Sequence, residues 1–484
     1  MRRLCVMNLK EKVMSGLRWS AGLRLLGQLF TWAVTIVVIR LLTPEDYGLM
    51  ALAGVFIAFL SMINELGLGA AIVQRGDLDQ RDLQSIFGFV LVASLLFSCL
   101  LVVGAPLVAG FYNEPQLTTM LWILSLIFLF SGFSVLPRAL LLKKLAYKKI
   151  ATIELVGAIA GSVCTLTMAL GGMGVWSLVG GYLSIRVVSM IGYYLFQPFL
   201  HRPTLRIKGM GAVLTYSGQL TLSRILWYLY TSAAATLIIG KVLGKEILGL
   251  YGVGVYLACL PMEKVGGIIN QVAFPAFSTM QDDPQHAGKQ FLRAVRVLCF
   301  FSIPTFWGMS SIAPEIIKVF LGEKWLAAVV PLQVVAFIVP LRMVRNIMMP
   351  ALTGLGRADL DLKNEIVAVV LMPLAILVAT RWGLLGVSMV WVLIFPAIFI
   401  VNLENTRKLL KLSFSAAYRE MWRAVLAGLV MYLSLIILKN VSIVDFTPQI
   451  NMLIYMAFGA AVYGSMTILM NHLVLREVIG LFKA

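Results

Sequence analysis

Arg40-Leu-Leu-Thr-Pro-Glu-Asp-Tyr-Gly48 is written twice in this chain, the second time as Lys241-Val-Leu-Gly-Lys-Glu-Ile-Leu-Gly249. In each copy a basic residue closes one apolar run, Glu holds the same place, and Gly-Leu opens the next run. Polar and flexible residues of this kind are what a chain reversal between two hydrophobic segments requires. The surroundings repeat more loosely. Phe111-Tyr-Asn-Glu-Pro resembles Phe320-Leu-Gly-Glu-Lys, and Gly171-Gly-Met-Gly-Val resembles Gly383-Leu-Leu-Gly-Val. The sequence therefore reads as two related halves followed by a tail.

The apolar runs between these links set the class. Of 484 residues, 60% are hydrophobic and 13% charged, against about 25% charged in a soluble domain. The charge is confined to short clusters between apolar runs of roughly 20 residues, the length that crosses a bilayer core. The predicted fold is all-α: a polytopic membrane protein of about 14 transmembrane helices, as two related six-helix bundles plus two C-terminal helices. The expected boundaries are a basic N-terminus at 1–16, a first bundle at 17–200, a linker at 201–212 and a second bundle at 213–404. A linker at 405–423, two helices within 424–470 and a C-terminal segment at 471–484 complete the division.

The net charge of +18 suggests nucleic acid until its placement is examined. With fourteen crossings, 27 of the 40 Lys and Arg fall on the side of the termini, 7 on the opposite side and 6 inside helices. Positive residues stay cytoplasmic, so both termini are expected there. The N-terminal segment, with Arg2, Arg3, Lys10 and Lys12, reads as a basic leader into the first helix rather than a signal peptide. The five cysteines form no CxxC pair and read as small buried hydrophobes.

Polar residues inside the apolar runs are the candidate site. Arg24, Gln28, Thr31 and Thr35 share one face of the first helix. The corresponding helix of the second half carries Tyr216, Gln219, Ser223 and Tyr230, with Arg224 adjacent. Lipid cannot satisfy such groups, so they face protein or water. A shared interior cavity and plain helix–helix hydrogen bonding are both consistent with the two stripes. Glu65 has no cation within a helical turn and reads either as solvated at the interface or as a carboxylate that takes up a proton. Arg342 and Arg345 lie a few residues before Pro350, so a cavity role competes with snorkelling to the cytoplasmic interface. Arg186 sits near the middle of its helix, facing either a cavity or an internal partner. The run from Arg138 through Lys143, Lys144, Lys148 and Lys149 reads as an interface anchor.

No external link exceeds about ten residues by the expected helix boundaries. No GxxxxGK[ST], no HExxH and no nucleophile–base arrangement occurs, and His201, His286 and His472 fall in loops or at a helix end. The reading is a carrier rather than an enzyme, with no catalytic residue, metal site or cofactor.

Two related six-helix halves plus two helices resemble the multidrug/oligosaccharidyl-lipid/polysaccharide exporter superfamily. Within it the chain is similar to the polysaccharide transporters, which include O-antigen and colanic-acid flippases. The stretches that carry this are Arg40 to Leu49, Glu65-Leu-Gly-Leu-Gly-Ala-Ala-Ile-Val-Gln74, Phe111 to Pro115 and Gly174-Val-Trp-Ser-Leu178. The resemblance implies a V-shaped pair of bundles with a cavity opening alternately to either side. It implies a polyprenyl-diphosphate-linked oligosaccharide as cargo, and a groove for the lipid tail at the last two helices. Arginines would then compensate the diphosphate. Gln28, Thr35, Gln219, Ser223 and Tyr230 would meet sugar hydroxyls beside Arg24, Arg224, Arg342 and Arg345. A coupling ion, with Glu65 as the proton candidate, and a polymerase and chain-length regulator are the remaining expected partners. The competing readings are a cation-coupled drug or metabolite antiporter and a membrane polymerase. Arginines in the helices, in place of acids, favour an anionic cargo.

Overall fold

The computed structural model describes residues 22–23, 27–64, 79–204, 225–441, 446–470 and 474. Among them every regular element is helical. The first unit, Met1–Lys241, holds α1 (Gly27–Leu41), α2 (Pro44–Asn64), α3 (Gln80–Tyr112), α4 (Gln116–Lys143), α5 (Tyr147–Leu170), α6 (Val175–Phe196) and α7 (Ile225–Val242). The second, Val242–Ala484, holds α8 (Gly244–Ser278), α9 (Pro284–Ser311), α10 (Val329–Gly354), α11 (Ala358–Ala379), α12 (Gly383–Leu393), α13 (Phe395–Leu409), α14 (Phe414–Val441) and α15 (Pro448–Met470). Twelve stretches among the described residues are long and apolar enough to cross a membrane, with Ala358–Leu409 counted as one and the shorter α1 left out.

This is a multi-pass membrane protein. Helix is the form that satisfies every backbone polar group within its own segment where lipid offers no partner. Hydroxyls inside the spans do the same: Thr31 Oγ1 donates to Gly27 O and Thr35 Oγ1 to Thr31 O, each at 2.8 Å. Large apolar side chains stay on the outside, as at Leu107 and Leu195, because lipid rather than water meets them. Helices approach through small residues. A Cβ built on Gly181 of α6 lies 1.7 Å from Thr165 Oγ1 and 3.0 Å from Gly161 O on α5, so the two backbones touch.

The repeated links interrupt the helices at matching places, and one pair also shares its backbone conformation. α1 ends at Leu41 and α2 opens at Pro44 on a reciprocal cap, in which Thr43 N donates to Asp46 Oδ2 (2.9 Å) and Asp46 N to Thr43 Oγ1 (3.3 Å). At the matching place α7 ends at Val242 and α8 opens at Gly244. Asn113 is left-handed (φ 57°, ψ 36°), a region Asn enters cheaply, whereas its counterpart Gly322 (φ 93°, ψ 175°) takes a positive-φ extended conformation open essentially to glycine alone. The third repeat sits three residues from the sequence match. Gly174 (φ 53°, ψ −133°) and Gly383 (φ 59°, ψ −145°) adopt the same conformation at helix starts, so Gly383 is the counterpart of Gly174, not of Gly171.

Links expected on one side of the membrane contact one another. In the first unit Asp46 lies against Gly174, and Lys241 donates to Phe111 O. At the other end Gln80 bonds His201, Ser85 bonds Thr204, and Lys144 donates to Gln197 Oε1. In the second unit Lys439 meets Glu315, while Gln281 Nε2 donates to Gly354 O.

Two boundaries differ from expectation. α7 groups with the first unit, because Tyr228 and Ala233 share a core with Val55 of α2 and Tyr228 OH donates to Val55 O at 3.1 Å. The expected linker 405–423 is mostly helix, since α13 runs to Leu409 and α14 starts at Phe414. Arg296 Nε on α9 pairs with Glu420 at 2.5 Å, which extends α14 beyond its apolar part.

Candidate functional site

The described part of the site is assembled in the second unit around α10. Arg342 lies midway along it, roughly 18 Å of helix from either end at 1.5 Å per residue. Its Nη1 donates to Cys259 Sγ at 3.1 Å, and its Cζ stands 4.4 Å from the centre of the Trp391 ring. Trp391 is fixed in turn, because its Nε1 donates to the Tyr251 hydroxyl at 2.8 Å. Tyr251 and Cys259 share the face of α8 that packs on α10, and both are buried, as is Trp391 on α12. None of the ion pairs among the described residues includes Arg342. Its positive charge rests on a π face and a sulfur, contacts worth about 0.5–2 kcal/mol.

Arg345, one turn further on, is in the opposite state. Its Nη2 meets Glu365 Oε1 of α11 at 2.7 Å, with the side chains 12% and 5% exposed. Asn405 of α13 donates to Asn364 Oδ1 beside this pair at 2.6 Å. A buried carboxylate at this distance already neutralises Arg345, whereas no ion pair among the described residues includes Arg342.

In the first unit the hydroxyls of Thr31 and Thr35 are spent on their own helix, and Gln28 is half-buried. Tyr230 is fully buried within the widened turn Leu229–Ala233. Arg186 stands 5.6 Å from the ring of Tyr182 on the same helix, and Arg138 lies 3.7 Å from Glu154. Arg24, Glu65, Gln219, Ser223 and Arg224 lie outside the described residues. The structure therefore brings Arg342 and Arg345 into one helix bundle, each with a different partner.

Sequence reading missed Glu365, Trp391, Tyr251 and the bonding role of Cys259. Glu365 carried a signal, an acid inside an apolar run, but the helix was expected to start at 366. It starts at Ala358, where Asp359 and Asp361 occupy the first turn, which favours negative charge. Trp391 sits in an unbroken apolar run that distinguishes no face.

A family model described as polysaccharide biosynthesis protein matches residues 37–330, more than half of the chain. The chain belongs to that family. Its relatives include the lipopolysaccharide biosynthesis protein WzxC of Escherichia coli, 26% identical over 80% of this chain and 79% of WzxC. The teichuronic acid biosynthesis protein TuaB of Bacillus subtilis is 25% identical over 87% of each chain. The succinoglycan biosynthesis transport protein ExoT of Rhizobium meliloti is 23% identical over 93% of this chain and 92% of ExoT. Among solved structures, the lipid II flippase MurJ in an inward closed conformation has a TM-score of 0.68 at 13% identity, covering 93% of this chain and 99% of MurJ. An inward-facing multidrug resistance MATE transporter of the MOP superfamily has a TM-score of 0.59 at 15% identity, covering 85% and 96%. The fold of this polysaccharide biosynthesis protein is thus the one those transporters share.

Proposed function

We propose that this chain is a flippase. It carries polyprenyl-diphosphate-linked oligosaccharide repeat units across the cytoplasmic membrane by alternating access, for assembly of a surface polysaccharide. The observation that carries this reading is Arg342, midway along a spanning helix of a polysaccharide biosynthesis protein, held by a π face and a sulfur and in no ion pair among the described residues. A diphosphate moved through a low-dielectric layer needs a compensating charge, and the planar guanidinium supplies paired donors to phosphate oxygens. The relatives named for lipopolysaccharide, teichuronic acid and succinoglycan biosynthesis support a polysaccharide precursor as cargo. The protein is a carrier with fourteen crossings and both termini cytoplasmic. Arg24 and Arg224 add positive charge along the path, Gln28, Gln219 and Ser223 meet the sugars, and Glu65 couples transport to protons.

The test is Arg342→Ala and Arg342→Lys at matched expression, scoring surface polysaccharide and the leaflet in which lipid-linked precursor accumulates. Loss of export in the Ala variant, partial rescue by Lys and accumulation on the cytoplasmic face are expected. Normal export by Arg342→Ala sinks the assignment.

A further inference from the structure

We infer that the hairpin between α4 and α5, with the end of α6, forms a binding site for anionic phospholipid headgroups of the leaflet it faces. This inference rests on the chain spanning a bilayer and not on the cargo. α4 ends in a tight turn in which Leu145 N donates to Leu142 O (2.9 Å) and Ala146 N to Leu141 O (3.0 Å). That turn usually takes glycine at its left-handed position. Here the position holds Leu145 with φ 54°, a strained conformation for a branched side chain. The residue is 44% exposed, so little packing within the protein offsets the strain. Strain kept at an exposed apolar residue points to a use outside the fold.

The surroundings say which use. Lys143, Lys144, Lys148 and Lys149 flank Leu145 and are all exposed. The end of α6 joins the same surface, since Lys144 Nζ donates to Gln197 Oε1 at 2.6 Å and Lys149 Nζ stands 5.4 Å from the Phe196 ring. Leu195, Phe196 and Leu200 are exposed there too, continuing the lipid-facing side of α6 past its last turn. Residues 138–154 carry five basic residues and one acid, Glu154, so the hairpin is strongly positive in sequence. Apolar tips interleaved with lysines match the headgroup boundary, where the tips enter the acyl edge and the ammonium groups meet phosphates. A soluble acidic partner would match the lysines but not the apolar tips.

The experiment uses the purified full-length protein in nanodiscs of phosphatidylcholine with or without phosphatidylglycerol, read by thermal melting and by lipid retention in native mass spectrometry. Wild type is expected to melt several degrees higher with phosphatidylglycerol. The variant K143Q/K144Q/K148Q/K149Q is expected to lose most of that shift, with affinity falling about fivefold per lysine. Leu145→Gly separates the lipid role from folding. It should melt higher than wild type in phosphatidylcholine, because glycine relieves the left-handed strain, and yet gain less from phosphatidylglycerol. An undiminished phosphatidylglycerol shift in the four-Gln variant overturns the inference. So does a Leu145→Gly variant that gains stability with an unchanged lipid response. A polyprenyl diphosphate whose melting shift is lost in the four-Gln variant and is not competed by phosphatidylglycerol also overturns it, in favour of a cargo port.

Discussion

Replacing Glu365 separates a structural ion pair from a cargo site. Glu365 and Arg345 meet at 2.7 Å with side chains 5% and 12% exposed, so neither is solvated well enough to stand without the other. Removing one partner of a buried pair costs about 3–5 kcal/mol, whereas replacing both by apolar groups is often neutral. At about 2–4 °C per kcal/mol for a unit of this size, Glu365→Gln should lower Tm by roughly 10 °C. Arg345→Met should do the same, and Arg345→Met/Glu365→Met should return to within a few degrees of wild type. The assay is thermal melting of purified protein in one detergent, closed as a double-mutant cycle. Additive losses in the double variant, or singles that move Tm by less than about 2 °C, would refute a coupled pair. Export measured in the double variant then settles the residue's second role. A stable, exporting double variant makes Arg345 structural; a stable, inactive one makes it a ligand of the cargo.

Trp391→Phe keeps a π face under Arg342 but loses the bond to Tyr251; export should fall at unchanged membrane protein level, measured by surface polysaccharide against an immunoblot. Gly322→Val places a branched side chain at φ 93° and should lower Tm by several degrees, whereas Asn113→Gly at φ 57° should leave it almost unchanged. Lys439 bonds both Ser311 O and Glu315 Oε2 at 2.7 Å, joining α14 to the end of α9. Lys439→Met should cost about 3 kcal/mol by stranding Glu315 and expose α14 to limited proteolysis.

How much was legible follows from what each residue's signal depends on. The links were readable because turns carry their chemistry locally: Thr43 and Asp46 cap a helix, and Asn113 and Gly322 each turn the chain at positive φ. The third copy of the repeat was misregistered by three residues, since a glycine's position does not reveal its φ. The helices were readable from apolar length, but their ends were not. Polar first turns belong to α11 and α14 although composition assigns them to links, which hid Glu365 and Glu420. The stripe of Thr31 and Thr35 was visible, yet sequence cannot tell a hydroxyl aimed at cargo from one bonded to its own helix. Pairing is a property of packed helices, so Arg342 and Arg345 looked alike until α8, α11 and α12 were placed around them.

The difference between those two arginines bears on how a carrier can release what it binds. An arginine already matched to a buried carboxylate gains little from a phosphate, because taking the anion means separating a pair whose rupture costs several kcal/mol. An arginine held by a π face and a thiol gives up contacts worth about 0.5–2 kcal/mol when a charge-assisted bond replaces them. Trp391 and Cys259 therefore hold Arg342 in place without neutralising it. They keep the guanidinium oriented while empty and leave its charge available. A carboxylate introduced beside it, as in Cys259→Asp, should convert Arg342 into a second Arg345. Melting temperature should hold or rise and export should fall, both in one preparation. Export that survives Cys259→Asp would mean that the charge state of Arg342 is irrelevant to transport, and the ranking of the two arginines would reverse.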